Sequence, residues 1–125
     1  MINQHVILLL LTALAVKHWL CDFVLQTAHQ VATKGQYGSL GGISHALTHG
    51  VGTAVVLALF LFGRFDIYEI AFLAGMDAVF HYHIDWFKQR MTQGMIPAHP
   101  KFWTWLGFDQ LLHTLTYIVI IALIH

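Results

Sequence analysis

Four stretches of the chain, roughly residues 5–26, 40–62, 67–87 and 102–124, stay apolar for the length of a membrane-crossing helix, about 20 residues. Each is interrupted by the same polar signature, two metal-ligating side chains four residues apart: His18/Asp22, His45/His49, His81/Asp85 and Asp109/His113. A step of four places both members on one helix face, one turn apart. The polar stripe reaches Gln26 in the first stretch and Thr53 in the second, Asp77 precedes the pair in the third, and Tyr117 follows it in the fourth. Ionisable groups inside apolar helices are costly and mark function. A single pair would fit a polar core by chance; four, one per stretch, predict one site built by four helices.

The connections suit a bundle. Residues 27–39 are Gly-rich and polar, residues 63–66 form a very short turn, and residues 88–101 hold both prolines, Pro97 and Pro100. Short connections make neighbouring helices antiparallel. The expected fold is therefore all-α: a single domain over residues 1–125, a four-helix transmembrane bundle running up-down-up-down, with both termini on the same side. In that arrangement the pairs agree in depth, falling late in the first and third stretches and early in the second and fourth. At about 1.5 Å of rise per residue they lie roughly one to two turns below one membrane surface.

Charge gives the expected orientation. Lys34, Lys88, Arg90 and Lys101 lie at the site end and only Arg64 at the other, so the positive-inside rule turns the site to the cytoplasm and both termini outward across a cell's inner membrane. Trp19, Trp86, Trp103 and Trp105 gather toward the site end, where interfacial aromatics belong. Met1 to Gln4 has no basic residue, and the apolar run continues through Lys17 and His18 with no small-residue cleavage site, so the first stretch is expected to be a retained span.

Composition agrees. The chain is 58% hydrophobic and 10% charged, with mean hydropathy +0.66, against about 25% charged in a soluble domain. A formal net charge of zero without a basic block argues against a nucleic-acid partner. The lone Cys21 excludes an internal disulfide and reads as a small packed hydrophobe. The expected partner is the lipid bilayer, with a homo-oligomer as a further option for so small a bundle.

Five imidazoles and three carboxylates suit a divalent transition metal, zinc first, then iron or manganese; no thiolate cluster calls for a softer ion. One tetrahedral zinc needs about four ligands, so the set serves two ions, or one ion with the remaining groups hydrogen-bonded around its ligands. Two divalent ions would be balanced by three aspartates and a bridging hydroxide, which suits a low-dielectric site. An ion lowers the pKa of water bound to it. Asp77 or Asp109 would accept the proton, and Lys88, three residues beyond Asp85, would hold an anionic group of the substrate. The plainer account of Lys88 is a helix-end lysine snorkelling to the interface, and Lys17, beside His18 but on another face, reads the same way. His83 points away from the His81/Asp85 face, and His5, His29, His99 and His125 lie near ends or in loops.

At these residues the chain resembles a family of small bacterial and phage integral membrane proteins, domain of unknown function thirty-three-oh-seven. The stretches that carry the resemblance are His18-Trp-Leu-Cys-Asp22-Phe-Val-Leu-Gln26, His45-Ala-Leu-Thr-His49, His81-Tyr-His-Ile-Asp85-Trp-Phe-Lys88 and Asp109-Gln110-Leu-Leu-His113, one from each helix in order. The resemblance implies a multi-span membrane protein of uncharacterised activity, and it adds Gln26, Lys88 and Gln110 to the site. The second histidine of His81-Tyr-His83 is a departure, and the four-residue spacing favours His81.

Several functions remain open. The favoured one is a metal-dependent hydrolase acting on a membrane-associated or phosphorylated substrate. Divalent-metal transport, sensing or storage is the second; transport through one copy is disfavoured because residues 55–62 and 118–124 offer no polar path. A non-catalytic membrane partner protein with a structural metal is the third. Interhelical hydrogen bonding without metal and bis-histidine haem complete the set; haem ligation gives no reason for the regular carboxylates.

Overall fold

The computed structural model describes residues 2–125, so Met1, the first residue of the expected 1–125 domain, lies outside the described residues. The chain is all helical, with no strand among the described residues. The five α-helices are α1 (Gln4–Trp19), α2 (Ala28–Thr33), α3 (Leu40–Leu61), α4 (Ile67–Met91) and α5 (Pro100–Ile124). Their starts carry local signals. The side chains of Asn3 and Ser39 accept backbone N–H bonds at the heads of α1 and α3, Asp66 and Glu69 form a reciprocal capping box on α4, and Pro100 sits in the first turn of α5. The chain turns between α3 and α4 at Gly63, whose φ of 82° is cheap only for glycine.

Three boundaries differ from the sequence expectation. The first helix does not run uniformly to Gln26: from Leu20 to Val24 it widens into a π turn, closed by Leu25 N–H on the Leu20 carbonyl at 2.8 Å. Such turns recur at functional sites because one extra residue per turn re-aims side chains; here the re-aimed segment contains Asp22. The polar connection 27–39 holds a helix, α2, with its own Thr27/Gln30 capping box. α4 continues one turn past Phe87, to Met91.

The long helices pack as a ring: α1 touches α3 and α5, and α4 touches α3 and α5, while α1 faces α4 and α3 faces α5 across the centre. α2 lies against α3. The two ends of the ring differ. One is an apolar core around Leu10, Leu14, Leu57, Leu61 and Ile120; the other is filled by histidines and aspartates. Along the flanks of the long helices the outside is rich in apolar side chains, with Leu59, Phe62, Phe72 and Tyr68 among the most exposed of them. An apolar exterior around a polar interior is unsuited to water and suited to lipid.

Three helical segments are long and apolar enough to cross a membrane: Gln4–Val24, Leu40–Leu61 and Pro100–Ile124. The fourth expected span is not among them. α4 has the length, but Asp77, His81, His83 and Asp85 fall in its middle and lower its hydropathy. The apolar residues on either side of these groups make the stretch read as a span.

α3 and α4 approach closely at Gly50, beside His49, where an added Cβ would lie 3.0 Å from Ala78 Cβ and 3.2 Å from the Ala74 carbonyl oxygen. Gly50→Val is therefore expected to wedge the helices apart and cost about 1–3 kcal/mol, read as a lower detergent-denaturation midpoint. An unchanged midpoint would show that the two helices have room to separate.

Candidate metal centre

The helices bring their polar pairs together in one buried cluster. Asp22, on the π turn, is at its centre. Its Oδ1 lies 2.8 Å from His49 Nε2, 3.0 Å from His45 Nε2 and 3.5 Å from His81 Nε2, and its Oδ2 lies 3.1 Å from His18 Nε2. Asp85 makes a second focus: Oδ2 is 3.2 Å from His45 Nε2 and 3.4 Å from His81 Nε2, and Oδ1 is 3.4 Å from His113 Nε2. Asp109 closes the far edge, with Oδ1 3.5 Å from His113 Nε2.

These eight side chains form three overlapping groups able to hold an ion: Asp22/His45/His49/His81, His18/His81/His113 and Asp85/Asp109/His113. His81 belongs to the first two and His113 to the last two, so the groups are one continuous site. Every member is buried. His113 Nε2 and Asp109 Oδ1, though buried and 3.5 Å apart, make no well-formed hydrogen bond. Unpaired polar atoms in a dry interior are costly, and a cation would satisfy both.

Gln110 and Tyr117 orient these groups. Gln110 donates through Nε2 to Asp109 Oδ2 at 3.0 Å and sets Oε1 3.1 Å from His18 Nε2. The Tyr117 hydroxyl lies 3.0 Å from His18 Nδ1.

A second polar layer separates the cluster from the apolar core. Lys17 Nζ donates to Asp77 Oδ2 and to the Tyr117 hydroxyl, both at 2.9 Å, and to the His49 carbonyl at 3.3 Å. The Thr53 hydroxyl donates to the same Asp77 oxygen. Lys17 thus does not snorkel outward, as its position in the sequence suggests; it is buried as the counter-ion of Asp77. Gly52 makes this route possible, because a Cβ there would lie 2.8 Å from Lys17 Cγ and Cδ. Asp77, ion-paired with Lys17 and hydrogen-bonded by Thr53, accordingly sits beneath the eight-residue cluster.

The cation that reaches the cluster from the nearby surface is Lys34, not Lys88. From the C-terminal end of α2, Lys34 Nζ donates to Asp85 Oδ2 at 2.9 Å and to Gln26 Oε1 at 2.7 Å. Gln26 in turn donates to the Asp22 carbonyl at 2.8 Å, so its part is to hold Lys34. Lys88 lies on the wall of a separate cavity. Sequence reasoning missed both buried lysines. Lys17 left a signal: it is the only lysine or arginine in the first apolar stretch, and Asp77 lies as deep in α4, so the two are complementary. Lys34 left none, because its reach depends on α2 folding back over α3.

The family model described as "Protein of unknown function (DUF3307)" matches residues 10–125, covering α1 from Leu10 onward, the other three long helices and the whole cluster. No curated protein and no solved structure matches the chain.

Proposed function

Because the chain belongs to the DUF3307 family, whose description assigns no activity, we propose a function from the centre itself: a membrane-embedded protein that holds one divalent transition ion, zinc first, and uses it in hydrolysis of a phosphorylated, membrane-associated substrate. The observation that supports the ion most directly is the pair of orphaned, buried ligand atoms, His113 Nε2 and Asp109 Oδ1, inside an all-His/Asp cluster. In this reading α4 crosses the membrane as well, its Asp77, His81 and Asp85 buried in the bundle. The bundle runs up-down-up-down, and the site end, with its lysines and tryptophans, faces the cytoplasm. The lipid bilayer is the partner of the apolar exterior.

Charge argues for one ion rather than two. Asp77 is cancelled by Lys17. The remaining aspartates, Asp22, Asp85 and Asp109, are cancelled by one divalent ion together with the Lys34 ammonium, given the neutral imidazoles that ligation requires. A second ion, even with a bridging hydroxide, would leave the buried site one positive charge in excess once Lys34 is counted, which is costly.

When bound, the ion supplies Lewis acidity. The chain's own groups supply the rest. Asp109, at the edge of the cluster, is placed to accept a proton. Tyr117 and Gln110 fix the His18 ring. The apolar core beyond Lys17 closes the other half of the bundle, which argues against ion transport through one copy. The burial of all eight donors favours a second reading, an enclosed ion acting as a structural staple or store.

Elemental analysis of detergent-purified protein tests the first step. Wild type is expected to carry about one equivalent even in excess metal, and Lys34→Met is expected to take up more than one, because it leaves a carboxylate unbalanced. Wild type that carries no ion after resupply with Zn²⁺, Fe²⁺ or Mn²⁺ would end the metal reading. A loaded protein that hydrolyses none of a panel of phosphorylated lipids would leave the staple or store.

A further inference from the structure

The six acidic residues leave the site-end surface with no negative charge. Asp22, Asp77, Asp85 and Asp109 are buried in the bundle, and Asp66 and Glu69 cap α4 at its opposite end. The site-end cations Lys88 and Arg90 therefore have no carboxylate within 4.0 Å among the described residues. Both line a cavity of about 760 Å³ between α2, the last turns of α4 and the start of α5, and none of its lining residues is acidic.

The other walls are aromatic and amide. Trp86, Tyr37 and Phe102 line the cavity together with Gln36, Gln89 and Gln93. The aromatic wall is held in place: Tyr37 stands edge-on to Trp86 with ring centres 5.5 Å apart, its hydroxyl lies 3.0 Å from His83 Nε2, and the Arg90 guanidinium lies over Trp86 at 5.7 Å. The inner wall adjoins the metal centre. Gly35 lines the cavity, pressed so closely on α4 that a Cβ would lie 3.0 Å from Gln89 Cβ, while the preceding residue, Lys34, reaches inward to Asp85.

We propose that this cavity binds the phosphate-bearing head of an amphiphile, with Lys88 and Arg90 on the phosphate and Trp86, Tyr37 and Phe102 against the adjoining apolar part. The volume falls in the range of small-molecule sites, about 300–1,000 Å³. An unpaired Lys and Arg with no competing carboxylate is the composition that phosphate recognition needs. Lys88 thus contacts the anion outside the cluster, and Lys34 stands between the two sites. The proposal deepens the hydrolase reading by giving its phosphorylated substrate a binding site outside the cluster, and it rests on that reading only for the chemistry after binding.

The test measures binding of two probes to the metal-loaded protein in detergent: a short-chain phosphatidic acid and glycerol 3-phosphate. Variants are Lys88→Gln/Arg90→Gln and Lys101→Gln, the latter removing a nearby exposed cation that does not line the cavity. The double variant is expected to lose at least about tenfold in affinity for phosphatidic acid while keeping wild-type metal content, and Lys101→Gln to lose nothing. Tighter binding of phosphatidic acid than of glycerol 3-phosphate supports a lipid source; equal binding supports a soluble phosphate. Equal losses in the double and Lys101→Gln variants would overturn the proposal in favour of general attraction to an anionic surface, and so would undiminished binding by the double variant. Metal content is read on the same samples, so failure of the centre and failure of the cavity are separable.

Discussion

Asp22→Asn is expected to reduce metal affinity by more than about 100-fold while leaving the protein helical. Four imidazole nitrogens lie within 3.5 Å of this one carboxylate, more than surround any other acid in the cluster. Asparagine keeps the shape but removes the charge and turns an N–H donor toward nitrogens that must stay free to ligate. Outer groups that merely orient ligands already cost about 10–100-fold when removed, so a carboxylate at the focus should cost more. Asp109→Asn is the graded comparison: it meets one imidazole at the rim, His113, and should cost less than Asp22→Asn. Ion titration against a chelator of known affinity, with far-ultraviolet circular dichroism on the same samples, decides the matter. Equal affinities for wild type and Asp22→Asn would remove Asp22 from the ligand set.

The second large effect lies in the layer below, where no metal is needed. Lys17→Met leaves Asp77 buried with only the Thr53 hydroxyl as its partner; Asp77→Asn leaves the Lys17 ammonium with Tyr117 and the His49 carbonyl. Each single change should destabilise by about 3–5 kcal/mol, because it strands a charge in a dry interior. The double variant Lys17→Met/Asp77→Asn should recover most of that loss, because it strands none. The measurement is a double-mutant cycle of detergent-induced unfolding, and simple additivity of the two singles would show that the ion pair is not the unit of stability. The same cycle separates this layer from the centre above it: metal content should survive in the double variant, since neither Lys17 nor Asp77 belongs to the three ion-holding groups.

Much of the molecule is legible in the sequence because its signals are local. A four-residue step fixes a helix face whatever surrounds it, so spacing alone puts the eight residues from His18 to His113 on inward stripes, and the stripes do converge. The helical class, three membrane-length segments and the closed apolar half likewise follow from runs of apolar residues. The π turn at Leu20–Val24 is not legible, because it is a choice of hydrogen-bond register that both windings of the same residues permit, settled by the groups Asp22 meets across the bundle. Nor does the sequence tell a span from a polar-cored helix in α4, since hydropathy averages over faces that packing keeps apart.

The lysines show the division most clearly. By itself the sequence determined that Lys17, Lys34 and Lys88 are long cationic side chains near a row of aspartates. Which aspartate each one meets is a long-range matter, decided 60 residues away for Lys17 and 51 residues away for Lys34. Only the folded chain, with Gly52 opening a path for one stem and α2 folding the other over α3, turned two of them inward to buried carboxylates and left Lys88 facing a cavity. The physical reason is range: backbone geometry repeats over a turn or two, whereas a buried charge finds its counter-ion wherever packing brings one within reach.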